Sequence, residues 1–300
     1  MSTLTLTARG VAAARRRARA AEVWREFRAQ RSGMIGLVLL AIVVGLALAA
    51  PLLFPAVTLD VTRLTTLPNQ PPSWELPLGT DPQGRSVLAL LVWGARASLL
   101  VGFAATLVSM VIGTAVGMAA GHFRGATQAI LLRVIDFFLV VPSLVLAIVL
   151  SSVLGPGVVT IIIAIGVTSW ASTSRLVRAQ TLTVESRGYI ERAWALGAGD
   201  GHVLVRHVLP AVLPLVLANT TLTVGSAIIS ESTLSFLGLG DPSTISWGSM
   251  LKLSLDTGAA TGGYWWYVLP PGIAIAVVVL AFTLVGRAFE SVINPTLRGR

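Results

Sequence analysis

The chain contains no cysteine and a single lysine. Without cysteine, neither a disulfide framework nor a thiolate metal site can form. The one lysine, Lys252, follows Leu251 rather than a glycine, so the phosphate-binding loop G-x-x-x-x-G-K-[S/T] is absent. Neither H-E-x-x-H nor G-x-S-x-G occurs, and only three histidines are present. We therefore predict that the chain is not an enzyme and expect no catalytic residues, metal or cofactor within it.

Charge is also scarce, because Asp, Glu, Lys and Arg together make up 12% of the residues. Soluble globular chains contain about 25% of these residues. The apolar fraction is 54%, and this combination is typical of an integral membrane protein.

Six apolar segments are long enough to cross a bilayer, which takes ~20 helical residues, range ~17–25. Hydrocarbon offers no hydrogen-bond partners, so each segment must satisfy its own backbone groups. The continuous apolar runs favour helices over the alternating pattern of a β-barrel. The sequence therefore predicts an all-α integral membrane protein with about six transmembrane helices, at Met34–Phe54, Ser98–Ala120, Val134–Leu154, Val158–Ser174, Ala211–Ser230 and Val268–Val285.

The basic residues are distributed unevenly around these segments. Eight arginines precede residue 32, and eighteen of the 22 Lys and Arg residues fall on the side that carries the N-terminus. Basic residues accumulate on the cytoplasmic side of a membrane, where the leaflet is anionic. The pattern predicts that both termini are cytoplasmic, and that membrane lipid, not nucleic acid, is the partner of the arginine-rich arm.

These boundaries divide the chain into four parts. Residues 1–32 are predicted to form a basic cytoplasmic arm, and residues 33–97 the first transmembrane helix with an external loop. Residues 98–290 form a core of five transmembrane helices, and residues 291–300 a cytoplasmic tail. Within the core, segment 185–210 interrupts the apolar pattern and is predicted to lie in the cytoplasm.

Two features predict the shape of the second and third helices. Pro142 lies inside the third helix and predicts a kink, and the i, i+3 spacing of Arg133 and Asp136 before it allows an ion pair. The second helix carries glycines at i, i+4 and i+8, a spacing that lets another helix approach closely. That neighbour belongs either to the same chain or to a second subunit. The three glycines are Gly113, Gly117 and Gly121.

The fifth predicted helix is the most polar of the six. Asn219, Thr223, Ser226 and Ser230 recur at i, i+4, i+7 and i+11 and therefore share one face of the helix. Glu231 follows directly. Such a face either lines a water-filled pathway or forms hydrogen bonds with a neighbouring helix. We treat these five residues as candidates for a translocation pathway.

Segment 185–210 is predicted to form two short amphipathic helices around a glycine turn. Trp194 and Leu196 place apolar groups where water is expected, which is unfavourable unless a partner covers them. Asp200 is expected to cap the second helix by accepting backbone N–H bonds. Pro210 begins the next membrane helix, where its missing N–H costs least. The pattern indicates a docking surface for another protein.

The same segment resembles the EAA loop of ABC importer permeases, whose pattern is E-A-A, three residues, G, nine residues and I-x-L-P. Arg192 and His207 depart from that pattern, which has Ala and Ile at these positions. Other stretches are similar to the C-type subunit of the dipeptide/oligopeptide branch, namely residues 78–87, 94–99, 235–240 and 246–248. The loop positions that fit are Glu191, Ala193, Gly197, Leu209 and Pro210.

The resemblance implies a type I ABC importer permease in the inner membrane of a prokaryote. Such a subunit pairs with a second, homologous permease and with two ATPase domains that bind ATP and Mg. An external solute-binding protein delivers di- or oligopeptides, and the loop receives the movement of the ATPases. The residues to which the resemblance assigns this coupling role are Glu191, Arg192, Ala193, Gly197, Asp200 and Arg206.

Two alternatives stay open. A permease for nickel or another metal chelate belongs to a branch that resembles this one. A stand-alone channel or secondary transporter would need no ATPase, although the coupling-type loop and the lack of an intramembrane charge relay weigh against it.

Overall fold

The computed structural model describes residues 21–63 and 66–293. Most of the predicted basic arm (residues 1–20) and the end of the predicted tail (294–300) lie outside these ranges. Within them, regular structure is helical apart from one isolated antiparallel bridge between Thr80 and Ser86. Residues 21–29 are helical, and the helices that follow are α1 (Arg31–Leu53), α2 (Val87–His122), α3 (Ala126–Val140), α4 (Ser143–Leu154), α5 (Val158–Thr168), α6 (Ala171–Glu185), α7 (Gly188–Ala195), α8 (Asp200–Val203), α9 (Leu209–Phe236), α10 (Trp247–Asp256) and α11 (Trp265–Ile293).

Four helices of the described chain are long and apolar enough to span a bilayer. They are α1, α2, α11 and the continuous helix Asp200–Phe236, which contains α8 and α9. The pairs α3–α4 and α5–α6 pass the same length and composition criteria but are bent by 91° and 43°. If each bent pair is one span, the described residues hold up to six. The prediction of an all-α membrane protein with about six spans is therefore confirmed.

The sharper of the two bends has a clear local cause. Pro142 removes a backbone donor, and Val141 before it is extended (φ −75°, ψ 126°), so the predicted kink is confirmed as a sharp break. The bend between α5 and α6 was not predicted, because it contains no proline. Thr168 donates its hydroxyl to Ala164 O at 2.7 Å, a bond that often bends helices, and α5 ends at this residue.

The three glycines of α2 pack against α6 of the same chain. A Cβ atom on Gly113 would lie 2.8 Å from Trp170 O, and one on Gly117 would lie 2.6 Å from Ser174 O. At Gly121 the nearest atom would be Thr181 Cβ, at 2.8 Å. The close helix approach that this spacing predicts is therefore made within the subunit.

One predicted ion pair is replaced by another. Asp136 of α3 accepts from the guanidinium of Arg175 in α6 at 2.8 Å, whereas the sequence suggested Arg133, three residues earlier. The observed pair is non-local, since 39 positions separate the two residues. The ion pair joins α3, which precedes the break at Pro142, to α6, which follows the bend at the end of α5.

The core of the described chain lies where α2, α9, α10 and α11 meet. Trp247 opens α10 and is almost fully buried; its indole N–H donates to Leu91 O at 3.0 Å. Its backbone N–H donates to the Ser98 hydroxyl at 3.3 Å. Ile228 of α9 and Phe282 of α11 belong to the same apolar cluster. The polar face of α9 is thus fixed relative to α2.

The loop between α1 and α2 is held together by Asp81, which is fully buried. Its carboxylate accepts the backbone N–H groups of Gln83 (2.9 Å) and Arg85 (2.8 Å), and Arg85 Nη2 lies 2.7 Å away. The indole of Trp266, in α11, donates to Thr80 O at 3.4 Å. The described part of the loop is therefore anchored to the helical core.

Candidate functional site

The coupling segment, residues 185–210, contains two helices joined by a tight turn at Gly197. The Gly197 N–H donates to Trp194 O (2.9 Å), and the Ala198 N–H donates to Ala193 O (3.0 Å). This pair of bonds is a Schellman motif, in which the residue after the helix adopts a left-handed conformation. Gly197 has φ +85°, so the turn requires a glycine at this position.

The segment presents apolar side chains at its tip. At the turn, Leu196 is 88% exposed and Trp194 is also exposed; further along the segment, Val205 is 66% exposed. On the opposite side, Ile190 and Val203 are buried in a cluster with residues of α6 and α9. One face therefore fixes the segment to the membrane helices, while the other leaves apolar surface that a partner would cover.

His122, the last residue of α2, links the coupling segment to the helical core. Its Nδ1 lies 2.5 Å from Glu185 Oε1, and its Nε2 lies 3.4 Å from Asp200 Oδ1. The imidazole also stacks on Trp194, with ring centroids 5.9 Å apart and planes inclined by 16°. No local sequence pattern indicates this contact, because His122 precedes Glu185 by 63 positions.

The position of Asp200 corrects one prediction. The second helix is capped by Gly199, without a side-chain hydrogen bond, and Asp200 is its first residue. Its carboxylate faces His122 rather than the backbone N–H groups of the helix. The expected capping role is therefore wrong, since a nearby imidazole provides the partner.

The remaining predicted coupling residues lie on the surface of the same segment. Glu191 and Arg192 are exposed on α7 beside the half-buried Ala193, and Arg206 is exposed in the π-helical turn Leu204–Val208. In the described ranges, no salt bridge engages Glu191, Arg192 or Arg206. Asp200 is also exposed, and one of its carboxylate oxygens lies near His122.

A cavity of about 450 Å³ lies among α2, α9 and the two helix breaks. The predicted stripe of α9 lines it with four residues, Asn219, Thr223, Ser226 and Ser230. Glu231 does not line this cavity: it is buried and accepts hydrogen bonds from Ser235 (2.8 Å) and Ser232 (3.3 Å). None of the described residues around the cavity is charged. The further polar lining residues are Thr106, Ser109, Ser143, Thr168, Ser169 and Ser172.

We call this space the hydroxyl cavity, after the Ser and Thr side chains that line it. The contribution of α2 to its wall was not predicted from the sequence. Thr106 and Ser109 are each 1% exposed, and their hydroxyls have no hydrogen-bond partner within the described residues. Their i, i+3 spacing is a signal, because both polar groups then fall on one face of an otherwise apolar helix. Across residues 21–63 and 66–293, no group of three or more His, Cys, Asp or Glu side chains is placed to hold a metal ion.

Comparison with known proteins identifies the family. Residues 113–299 match the family described as binding-protein-dependent transport system inner membrane component. Residues 19–72 match the N-terminal transmembrane domain of oligopeptide transport permease C. These matches cover both the first span and the coupling segment.

Full-length relatives extend the same similarity. The chain is 34% identical over 278 residues to the dipeptide transport system permease protein DppC of Bacillus subtilis, covering 92% of this chain and 86% of the relative. It is 34% identical over 284 residues to the di/tripeptide transport system permease protein DppC of Pseudomonas aeruginosa, covering 92% of each. The oligopeptide transport system permease protein OppC of B. subtilis is also 34% identical, over 91% of this chain and 88% of its own length. The chain therefore belongs to the inner membrane components of binding-protein-dependent transport systems, within the ABC permeases of the dipeptide/oligopeptide type.

Proposed function

We propose that this chain is the permease subunit of an ATP-driven importer that translocates di- and oligopeptides delivered by an external solute-binding protein. The observation that carries the proposal is the coupling segment, whose apolar tip is exposed at a left-handed glycine turn. The chain has no phosphate-binding loop of its own, so ATP and Mg bind to partner ATPase domains. A second, homologous permease completes the membrane pathway.

The coupling segment is built to pass movement to the cavity. Helix Asp200–Phe236 is continuous over 37 residues, which is about 55 Å at about 1.5 Å per residue. Its N-terminal end lies in the coupling segment, and its polar stripe lines the cavity. When an ATPase displaces α7 and α8, this helix carries the displacement to Asn219–Ser230. His122 carries the same displacement to α2 on the facing wall.

The roles of individual residues follow from this path. Glu191, Arg192 and Arg206 supply the charged contacts with the ATPase, and Ala193 and Gly197 supply the close approach and the turn. Asp200 acts through His122. Asn219, Thr223, Ser226 and Ser230 face the translocation pathway, whereas Glu231 is buried beside this face and is bonded to serines of its own helix.

The arrangement in the membrane follows the distribution of basic residues. The basic arm (1–32), the coupling segment and the tail (291–300) lie in the cytoplasm, and the loop of 33–97 lies outside, where the binding protein docks. The membrane core is 98–290. The relatives named above are peptide permeases, which favours peptide over nickel or another metal chelate as the substrate. A stand-alone channel is disfavoured because it has no use for an exposed ATPase-docking segment.

Co-purification tests the proposal. A tagged chain is expected to bring down a homologous permease and an ATPase, and peptide together with the binding protein should stimulate ATP hydrolysis by the assembly. A chain that purifies alone from cells producing all the components would overturn it. Stimulation by a nickel chelate but by no peptide would move the substrate to the alternative branch.

A further inference from the structure

We propose that the hydroxyl cavity is a binding site for uncharged amide groups of the peptide backbone, and that Thr106 and Ser109 of α2 contact the substrate there. The inference rests on the proposed function and extends it to the chemistry that recognises the cargo. In addition to the polar stripe of α9, it assigns residues of α2 to the wall of the binding site.

The two α2 hydroxyls need a partner. Each belongs to a residue that is 1% exposed, lines the cavity, and has no hydrogen-bond partner in the described part of the chain. Other hydroxyls of membrane helices bond to their own backbone, as Thr168 does to Ala164 O and Thr220 does to Val216 O. A buried polar group without a partner is costly, and the cost is recovered when a ligand supplies one.

The helix break beside these hydroxyls adds backbone groups of both kinds. The first N–H groups of α4, from Ser143 onward, and the last carbonyls of α3 have no partners within their own helices. α4 has no side-chain cap, and Phe138, Leu139, Val141, Pro142 and Ser143 line the cavity. Irregular backbone persists at membrane depth only where protein buries it or where it borders a water-filled space.

These groups match an amide rather than a charged side chain. A hydroxyl can donate and accept, as a peptide unit does through its N–H and C=O, and helix ends offer donors at one end and acceptors at the other. No described lining residue carries a charge that would select a charged side chain. The volume of about 450 Å³ is in the range of ~300–1,000 Å³ found for small-ligand pockets. The site therefore binds the feature that all peptides share.

A charge placed in the cavity tests whether substrate passes it. Ser226 is exposed to the cavity, so Ser226→Asp is expected to fold. In proteoliposomes holding the full complex, we expect Ser226→Asp to lower uptake of Ala-Glu-Ala relative to Ala-Lys-Ala by about tenfold, a repulsion of about 1.4 kcal/mol. Ser226→Asn should leave the ratio unchanged. A wild-type ratio in the Asp variant would overturn the proposal.

Removal of the α2 hydroxyls tests amide recognition itself. Uptake of Ala-Ala-Ala is compared with that of its analogue in which an ester replaces one amide and so removes one N–H. For Thr106→Val with Ser109→Ala, we expect the amide-to-ester ratio to fall about threefold, the order expected for one lost hydrogen bond.

Ser151→Ala is the matched control, because the Ser151 hydroxyl is also buried and unpartnered but does not line the cavity. An unchanged ratio in the double variant, or an equal change in the control, would contradict amide recognition. The proposed function fails separately, if the wild-type complex takes up neither tripeptide when ATP is present.

Discussion

At the residue scale, Gly197 decides whether the coupling segment keeps its turn. Its φ of +85° is in the left-handed region, and a Cβ there would meet nothing within 4 Å. The cost of Gly197→Val is therefore backbone strain alone, at least about 1–2 kcal/mol. We expect normal membrane insertion and retained ATP hydrolysis but several-fold fewer peptides transported per ATP.

Gly199 provides the matched control for this prediction. A Cβ on Gly199 would also meet nothing within 4 Å, but its φ of −84° suits any residue. Gly199→Val should transport at nearly the wild-type ratio of peptide to ATP. Equal losses at both glycines would show that bulk at the tip, not the left-handed turn, controls coupling.

His122 is the second residue-scale test. His122→Ala removes the links to Glu185 and Asp200 and the stacking on Trp194. We expect it to lower uptake several-fold while the ATPase remains active. On our proposal that Asp200 acts through His122, adding Asp200→Asn should cause little further loss, as measured by a double-mutant cycle of transport rates. Fully additive losses would mean that the two residues act separately.

At the element scale, the three glycines of α2 bring this helix close to the backbone of α6. Gly117→Leu would drive a side chain into the backbone of Ser174, 2.6 Å from the Cβ position, and should destabilise the subunit by about 1–3 kcal/mol or more. Gly45→Leu in α1 is the control, because a Cβ there meets nothing within 4 Å. In thermal unfolding of the purified complex in detergent, Gly117→Leu should show a lower midpoint than Gly45→Leu. Equal midpoints would contradict this packing.

The polar stripe of α9 gives a second prediction at this scale. The chain has no cysteine, so single cysteines can be introduced without a background. Ser226→Cys lines the cavity and should react with membrane-impermeant thiol reagents in at least one transport state. Ile229→Cys, on the same helix but away from the cavity lining, should react far more slowly. Equal inertness at both positions would remove the stripe from the pathway.

At the scale of the whole molecule, hydropathy predicted the number and type of the spans because apolar length is a local property. Hydropathy did not predict which spans are bent or broken. The break at Pro142 had a local signal, whereas the bend after Thr168 had none, because the hydroxyl-to-backbone bond of Thr168 also occurs within unbroken helices of this chain, as at Thr220. α2 begins at Val87, well before the apolar segment Ser98–Ala120 from which this span was predicted.

The candidate site also combines local features, which the sequence predicts, with long-range contacts, which it does not. The turn at Gly197 and the stripe of α9 were readable, since spacing within one helix or turn defines them. The pairing of His122 with Glu185 and Asp200, and of Asp136 with Arg175, joins residues far apart in the chain. Such contacts depend on how the helices pack, and no local pattern specifies them. The place of Thr106 and Ser109 in the cavity wall is apparent only from the packed structure.

We propose that this chain is a transport pathway moved by ATPases that dock on its coupling segment. Peptide uptake into proteoliposomes tests it most directly, comparing the chain alone with the full assembly of two permeases, ATPases and binding protein. We predict no uptake by the chain alone, and uptake by the assembly only with ATP and Mg. Uptake by the chain alone at the rate of the assembly would show that transport needs neither ATPases nor the coupling segment.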